Sequence, residues 1–217
     1  MPDQVLPRDT YMVIVIGAMK PAIHHPQWYR AINAIDDDEL AASLKMPSSG
    51  TTPIASRLQF GSPILTVACN PAQWLIHSTE AASWERMLKI TSLVFAKAND
   101  PALTAYGFTA QRHIDTNATD TKSLLADCLN GLHLGLPVGK SSSSNISLSI
   151  DNEDYTISTS IQPSVIGDRT VFVFYNHHYQ AQDINAILDG RFERFSAEAG
   201  EFFTDVVSAI NARAREG

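Results

Sequence analysis

Residues 57–98 read RLQFGSPILTVACNPAQWLIHSTEAASWERMLKITSLVFAKA, and this stretch decides the fold class. Three short runs rich in β-branched and aromatic residues (56–60, 64–69 and 72–77) are separated by turn formers, Gly61-Ser-Pro63 and Asn70-Pro71. Residues 79–98 then carry Trp84, Leu88 and Phe95 at helical spacing. The reading is three antiparallel strands running directly into an amphipathic helix.

The same order recurs toward the C-terminus. Runs stand at 145–150, 155–161 and 170–176; the first two alternate apolar and polar residues, with Ile146, Leu148, Ile150 and Tyr155, Ile157, Ile161 on one face, and residues 151–154 supply a turn between them. A final helix through Ala212 places Phe192, Phe195, Ala199, Phe202, Val206 and Ile210 at spacings of three and four, with Glu198, Glu201 and Asp205 expected to turn outward.

Each of these blocks has a matching prelude. Residues 11–16, YMVIVI, form a continuous apolar run that predicts a central strand buried on both faces. Pro26 opens a helix with Trp28, Ile32 and Ile35, and Asp36 with Glu39 forms a capping box for a second one bearing Leu40 and Leu44. In the second half, Tyr106, Phe108, Ala110, Arg112 and Ile114 alternate as a strand with one wet face. Asp120 then caps a helix with Leu124, Leu125, Cys128 and Leu129, stopped at Gly131. The loops MPSSGTTP (46–53) and GLPVGKSSSS (135–144) stand at equivalent places.

Both halves therefore read strand, helix, loop, three strands, helix. The expected fold is α+β: a duplicated unit forming one long, curved, mainly antiparallel sheet with helices packed on one side. The TATA-binding-protein architecture has this shape, a comparison that carries no function. Residues 1–10 form an N-terminal arm, 11–100 the first half and 101–217 the second, the two joined in one compact globule.

Composition bounds the function. A chain of 217 residues, 44% hydrophobic and 18% charged, can bury a sizeable core, and a net charge of −7 argues against general nucleic-acid binding. Two cysteines, Cys69 and Cys128, are too few for a disulfide framework and fit a reducing compartment. The start, MPDQVLPRDT, lacks a basic segment followed by an apolar core, and the apolar run 11–18 is too short to span a bilayer. A soluble, cytoplasmic protein without membrane attachment is expected.

The run RLQFGSPILTVACNPAQWLIHSTEAASWERMLKITSLVF, the strand YGFTAQRHID and the ending VFVFYNHHYQAQDINAILDGRFERFSAEAGEFFTDVV together resemble a sporadically distributed bacterial family of uncharacterised proteins. The resemblance covers most of the chain from about residue 54 and implies paired strands leading into a Trp-bearing helix, an arginine near Arg112 and an acidic, Phe-containing last helix. That family has no established activity, so it supplies no catalytic residues.

Motifs with chemistry are few. Gly135-Leu-Pro-Val-Gly139-Lys140-Ser141 has three residues between its glycines where a phosphate-binding loop needs four, and a strand rather than a helix follows it. Asp115, Asn117 and Thr119 echo a calcium loop, but Asp120 and Ala126 occupy the positions that require glycine and a ligating glutamate. Asn117-Ala-Thr119 and Asn145-Ile-Ser147 fit the glycosylation pattern, which matters only in a secreted protein. No Gly-x-Ser-x-Gly elbow occurs, and the Cys69 and His77 spacing is not that of a recognisable dyad. His24-His25 and His177-His178 lack metal-ligand spacing.

The sequence thus predicts no catalytic residue, no metal and no cofactor. His24, Arg112 and His177 are the candidate ligand contacts, lining a cleft between the halves, with Arg57 the matching basic residue of the first half. Phe203 and Val207 form a second apolar row on the last helix and are the candidate interface of a homodimer. The expected role is a non-enzymatic binding or accessory protein that mediates interaction or assembly with an unidentified protein partner. The alternatives are a small-ligand or nucleotide-binding protein, and behind it a hydrolase whose histidines converge on a carboxylate or metal.

Overall fold

The apolar run near the N-terminus becomes the middle of the sheet. In the computed structural model, which describes residues 9–46, 49–98, 102–116, 145–180 and 190–216 together with Thr121 and Leu125, strand β1 (Asp9–Gly17) is fifth of nine. Its β-branched side chains favour extended backbone, and neighbours on both sides satisfy its amides. On one side it pairs antiparallel with β5 (Gln73–Ser78), on the other with β6 (Leu103–Asp115).

Between β1 and β5 lie helices α1 (Pro26–Ala31) and α2 (Asp37–Lys45) and strands β2 (Gly50–Thr51), β3 (Ser56–Phe60) and β4 (Leu65–Asn70). Helix α3 (Trp84–Lys97) follows β5, and β7 (Ile146–Asp151), β8 (Tyr155–Pro163), β9 (Thr170–Tyr179) and helix α4 (Arg191–Glu216) complete the order. The strands align as β2-β3-β4-β5-β1-β6-β9-β8-β7, antiparallel at every step. Leaving β2 aside, this order reads the same from both ends about the β1–β6 seam, with β3, β4 and β5 standing where β7, β8 and β9 stand.

Local chemistry explains the elements. His25 caps α1 by accepting the Trp28 amide on Nδ1, with Pro26 in the first turn. Asp36 and Glu39 form the reciprocal capping box expected for α2. The loop 46–53 also contributes β2, a two-residue edge strand that its prolines and hydroxyls concealed.

The helices lie on one face. Tyr29 of α1 meets Phe60 and donates no space to solvent, Phe95 of α3 meets Trp74, and Phe195 of α4 meets Phe108, each residue fully or almost fully buried. The opposite face carries Met12, Ile14, Leu75, Phe172 and Phe174, all half-buried. Trp84 spans the two halves, with its ring 5.8 Å from Tyr11, 6.5 Å from Phe108 and 5.1 Å from Phe192.

Helix α4 departs from expectation in register. Its buried stripe is Phe195, Ala199, Phe203, Val206 and Ile210, while Phe202 is only partly covered. Phe203 is 3% exposed and lies 4.5 Å beneath the Arg112 guanidinium, so it belongs to the core and not to a free second row; Val207 is half-buried. The spacings 195, 199, 203, 206, 210 and 195, 199, 202, 206, 210 fit 3.6 residues per turn equally well, so the tertiary contact with Arg112 settles the register. Glu198 also departs, turning toward the sheet.

Phe108 has 0% exposure and its ring sits within 5.5–6.5 Å of Tyr106, Tyr179, Phe192, Phe195 and Trp84. Phe108→Ala is predicted to lower the unfolding free energy by about 3–5 kcal/mol in urea titration. A loss below about 1 kcal/mol would contradict this assignment of the core.

Candidate functional site

Strand alternation builds the first polar cluster. Tyr175, His177 and Tyr179 stand at i, i+2 and i+4 on β9 and so share the helix-covered face, joined by Tyr155 opposite Tyr179 on β8. Gly107 lets β6 approach closely here, since a Cβ at that position would lie 2.6 Å from the His177 carbonyl oxygen. Glu198 descends from α4 into the group.

Its carboxylate accepts from Tyr155 Oη at 3.1 Å, from Tyr175 Oη at 3.3 Å and from His177 Nε2 at 3.1 Å. His177 Nε2 also lies 3.0 Å from Tyr175 Oη, and Nδ1 lies 3.2 Å from Tyr179 Oη. With a carboxylate on Nε2, the neutral ring carries its proton there and Nδ1 accepts from Tyr179. Burial pushes His177 down to about 4, outweighing the opposing pull of Glu198. Burial likewise raises Tyr175 and Tyr179 above the ordinary phenol range. Arg191 donates to Tyr106 Oη at 2.6 Å and Arg194 lies over the Tyr155 ring, so cations close the outer rim.

A histidine bonded to a glutamate can act as a general base when a substrate reaches its free nitrogen. Here His177 is 0% exposed and both ring nitrogens are engaged within the protein. The geometry is that of a satisfied buried network.

His24 forms a separate network in the first half. At 2% exposure, its Nδ1 lies 2.9 Å from Tyr29 Oη, which accepts the Trp74 indole N–H at 2.9 Å. Burial, reinforced by neighbouring His25, lowers His24 to about 4. Arg112 sits elsewhere again. Its partner across the β6–β9 ladder is Val173, four residues along from His177, and its Nε is 3.9 Å from Asp9 Oδ2.

The three expected ligand residues therefore do not converge. His177 and Arg112 are separated by about 13 Å of strand, and His24 is tied to β5, beyond β1 from either. No cleft divides the halves at the sheet, because β1 and β6 are paired along their length. His77 and Arg57 lie on the first half's open face, where burial and the Arg57 charge lower His77. Among the described residues, no group of three His, Cys, Asp or Glu is placed to hold a metal ion. The glycine-rich loop 135–144, the calcium-like turn at 117–120 and Cys128 lie outside the described residues, as do residues 1–8 of the arm.

A concavity that sequence reading missed lies between α1–α2 and α3. It has a volume of about 570 Å³ and brings Arg30, Glu39, Glu85, Arg86 and Lys89 together over Ile35, Ile90 and Leu93. Arg30 is bonded to Asp37 at 2.6 Å and Arg86 to Glu39, while Lys89 has no ion pair among the described residues. Gly61 adopts φ +84° against this pair, and a side chain there would meet Arg86. Only assembly of three separate segments creates the groove, so no local motif announces it.

The two buried histidines make stability depend on acid. The unfolded chain takes up protons near pH 6.5 where the folded chain resists them down to about 4, so stability is full above pH 6.5 and falls as pH drops through that window. The expected loss between pH 7 and 4 is about 3 kcal/mol for His24, with a further loss in the same direction from His177, read by urea unfolding, and His24→Phe or His177→Phe should each flatten the slope. An unchanged slope in both variants would refute it.

No family model, curated protein or solved structure matches this chain.

Proposed function

We propose that this chain is a non-enzymatic binding module that engages other proteins through the edge of its sheet. The observation that carries this reading is β7. Among the described residues it is the outermost strand, its residues 147–151 are exposed, and Leu148 and Ile150 stand 55% and 44% open to solvent. An edge of this length presents unpaired backbone groups and an apolar row that accept an added strand. The polar groups of the interior support the same reading, since the two histidine networks spend their hydrogen bonds inside the protein.

The proposal includes a duplicated origin for the two halves, supported by the strand order about the β1–β6 seam. It also includes a reducing, cytoplasmic setting, which suits the free, buried Cys69 thiol that burial raises to about 12. Absence of a described helix long and apolar enough to cross a membrane is compatible with it.

A photo-activated cross-linker placed at Ser149 should capture protein in cells, whereas one at Gln59 on the far side of the sheet should not. No capture from Ser149 would end the edge-binding reading.

The 570 Å³ groove favours a second reading, a small anionic ligand held near Lys89. Saturation-transfer NMR with ATP, GTP and inorganic phosphate is its test. Signals abolished by Lys89→Glu would establish it, and no signal from any of the three would remove it.

A further inference from the structure

The two edges of the sheet differ in a way that identifies a partner. At one end β2 contributes two residues, Gly50 and Thr51, and the chain then closes a turn through Thr52 and Ala55 before β3. Such a short edge offers little to pair with. At the other end β7 offers six residues, Ile146-Ser-Leu-Ser-Ile-Asp151, without lysine, arginine, proline or glycine. Lysine and proline ordinarily blunt an edge, and the one charge on β7, Asp151, lies at its end and not within the apolar row.

The pattern of β7 is complementary to itself. Ile146, Leu148 and Ile150 continue the helix-side row of β8, opposite Ile161, Thr159 and Ile157, while Ser147 and Ser149 continue the open face opposite Ser160 and Ser158. A two-fold axis normal to the sheet reverses strand direction yet keeps each face on its own side. Centred on Leu148, it sets Leu148 against Leu148 of a second copy, Ile146 against Ile150 and Ser147 against Ser149. Asp151 falls opposite Asn145, so no like charges oppose each other across the new ladder.

We propose that β7 pairs antiparallel with β7 of a second copy about this axis, joining the two sheets into one. The inference rests on the reading of β7 as a docking edge and names its occupant. Six residues of edge form a small interface, so association is weak and concentration-dependent. Each copy carries a net charge of −7, so repulsion opposes pairing at low salt and is screened at high salt. The dimer should therefore strengthen with ionic strength.

Sedimentation velocity of the full chain tests this. The expected result is a mass rising from 23.7 kDa toward twice that value across the micromolar range, more steeply at high salt. Leu148→Lys should weaken association at least about tenfold, while Val207→Lys on α4 should leave it unchanged. Leu148 is 55% exposed, so its substitution spares the core, and an unaltered thermal midpoint verifies this. Hydrogen exchange gives a readout without any variant, with the amides of 146–151 gaining protection as concentration rises. A monomer at every concentration, a dimer indifferent to Leu148→Lys, or one broken by Val207→Lys instead would each overturn the proposal. If Ser149 cross-links to a different protein while the chain sediments as a monomer, edge docking stands and the second copy falls; if Ser149 captures nothing, both fall.

Discussion

The β1–β6 ladder is the constraint on which the rest of the molecule depends. It pairs Tyr11 with Ala110, Val13 with Phe108 and Val15 with Tyr106, and all six are buried. Without it each half would present a long apolar edge at the place where the core is thickest. With it, the helices of both halves share one floor, and Trp84 can reach from α3 to the rings of Phe192 and Phe195 on α4. A seam filled in this way leaves no opening through the sheet between β1 and β6.

Polar groups inside such a core are retained only when they are mutually satisfied. Both histidine networks meet that requirement through tyrosine, whose ring fills space while its hydroxyl ends in a hydrogen bond. Tyr29 links His24 to Trp74, and Tyr155, Tyr175 and Tyr179 surround His177 and Glu198. Neutral histidine suits both places, since a charged ring would lose its hydration, which at His177 the one-third exposed Glu198 replaces only in part. These networks fix side-chain orientation in the sheet and helices around them.

Much of the fold was legible in the sequence because period and turn chemistry act locally. The strand Ser56–Phe60, the capping box at Asp36 and the central place of the YMVIVI run all follow from residues that touch their sequence neighbours. The antiparallel sheet with flanking helices followed from the order of those pieces. Three residues on α4 were misread. Phe202 and Phe203 are adjacent, and periodicity over three turns cannot choose between them; the Arg112 side chain on β6 decides, because its guanidinium stacks on Phe203. Glu198 was read as solvated because it is acidic, yet tyrosine hydroxyls from two strands await it. The i, i+2, i+4 spacing of Tyr175, His177 and Tyr179 was the available signal for that cluster. The groove beside Lys89 had no such signal, since its walls come from distant segments.

The unequal edges follow from the same strand order. In the first half the chain returns from α2 to lay β2 beside the start of β3, and α1 and α2 cover the helix-side face of β3, where Leu58 and Phe60 end at 1% and 0% exposure. The corresponding strand of the second half, β7, keeps Leu148 and Ile150 largely open. Apolar surface left in water is unfavourable at roughly 25 cal/mol per Å², and unpaired strand amides add a directional demand for hydrogen bonds. Those two demands select the shape of what can cover the edge. A helix could bury the leucine and isoleucine row but has no free backbone groups to offer the ladder. An extended segment meets both, and its side chains must alternate apolar and polar with the period of β7 itself.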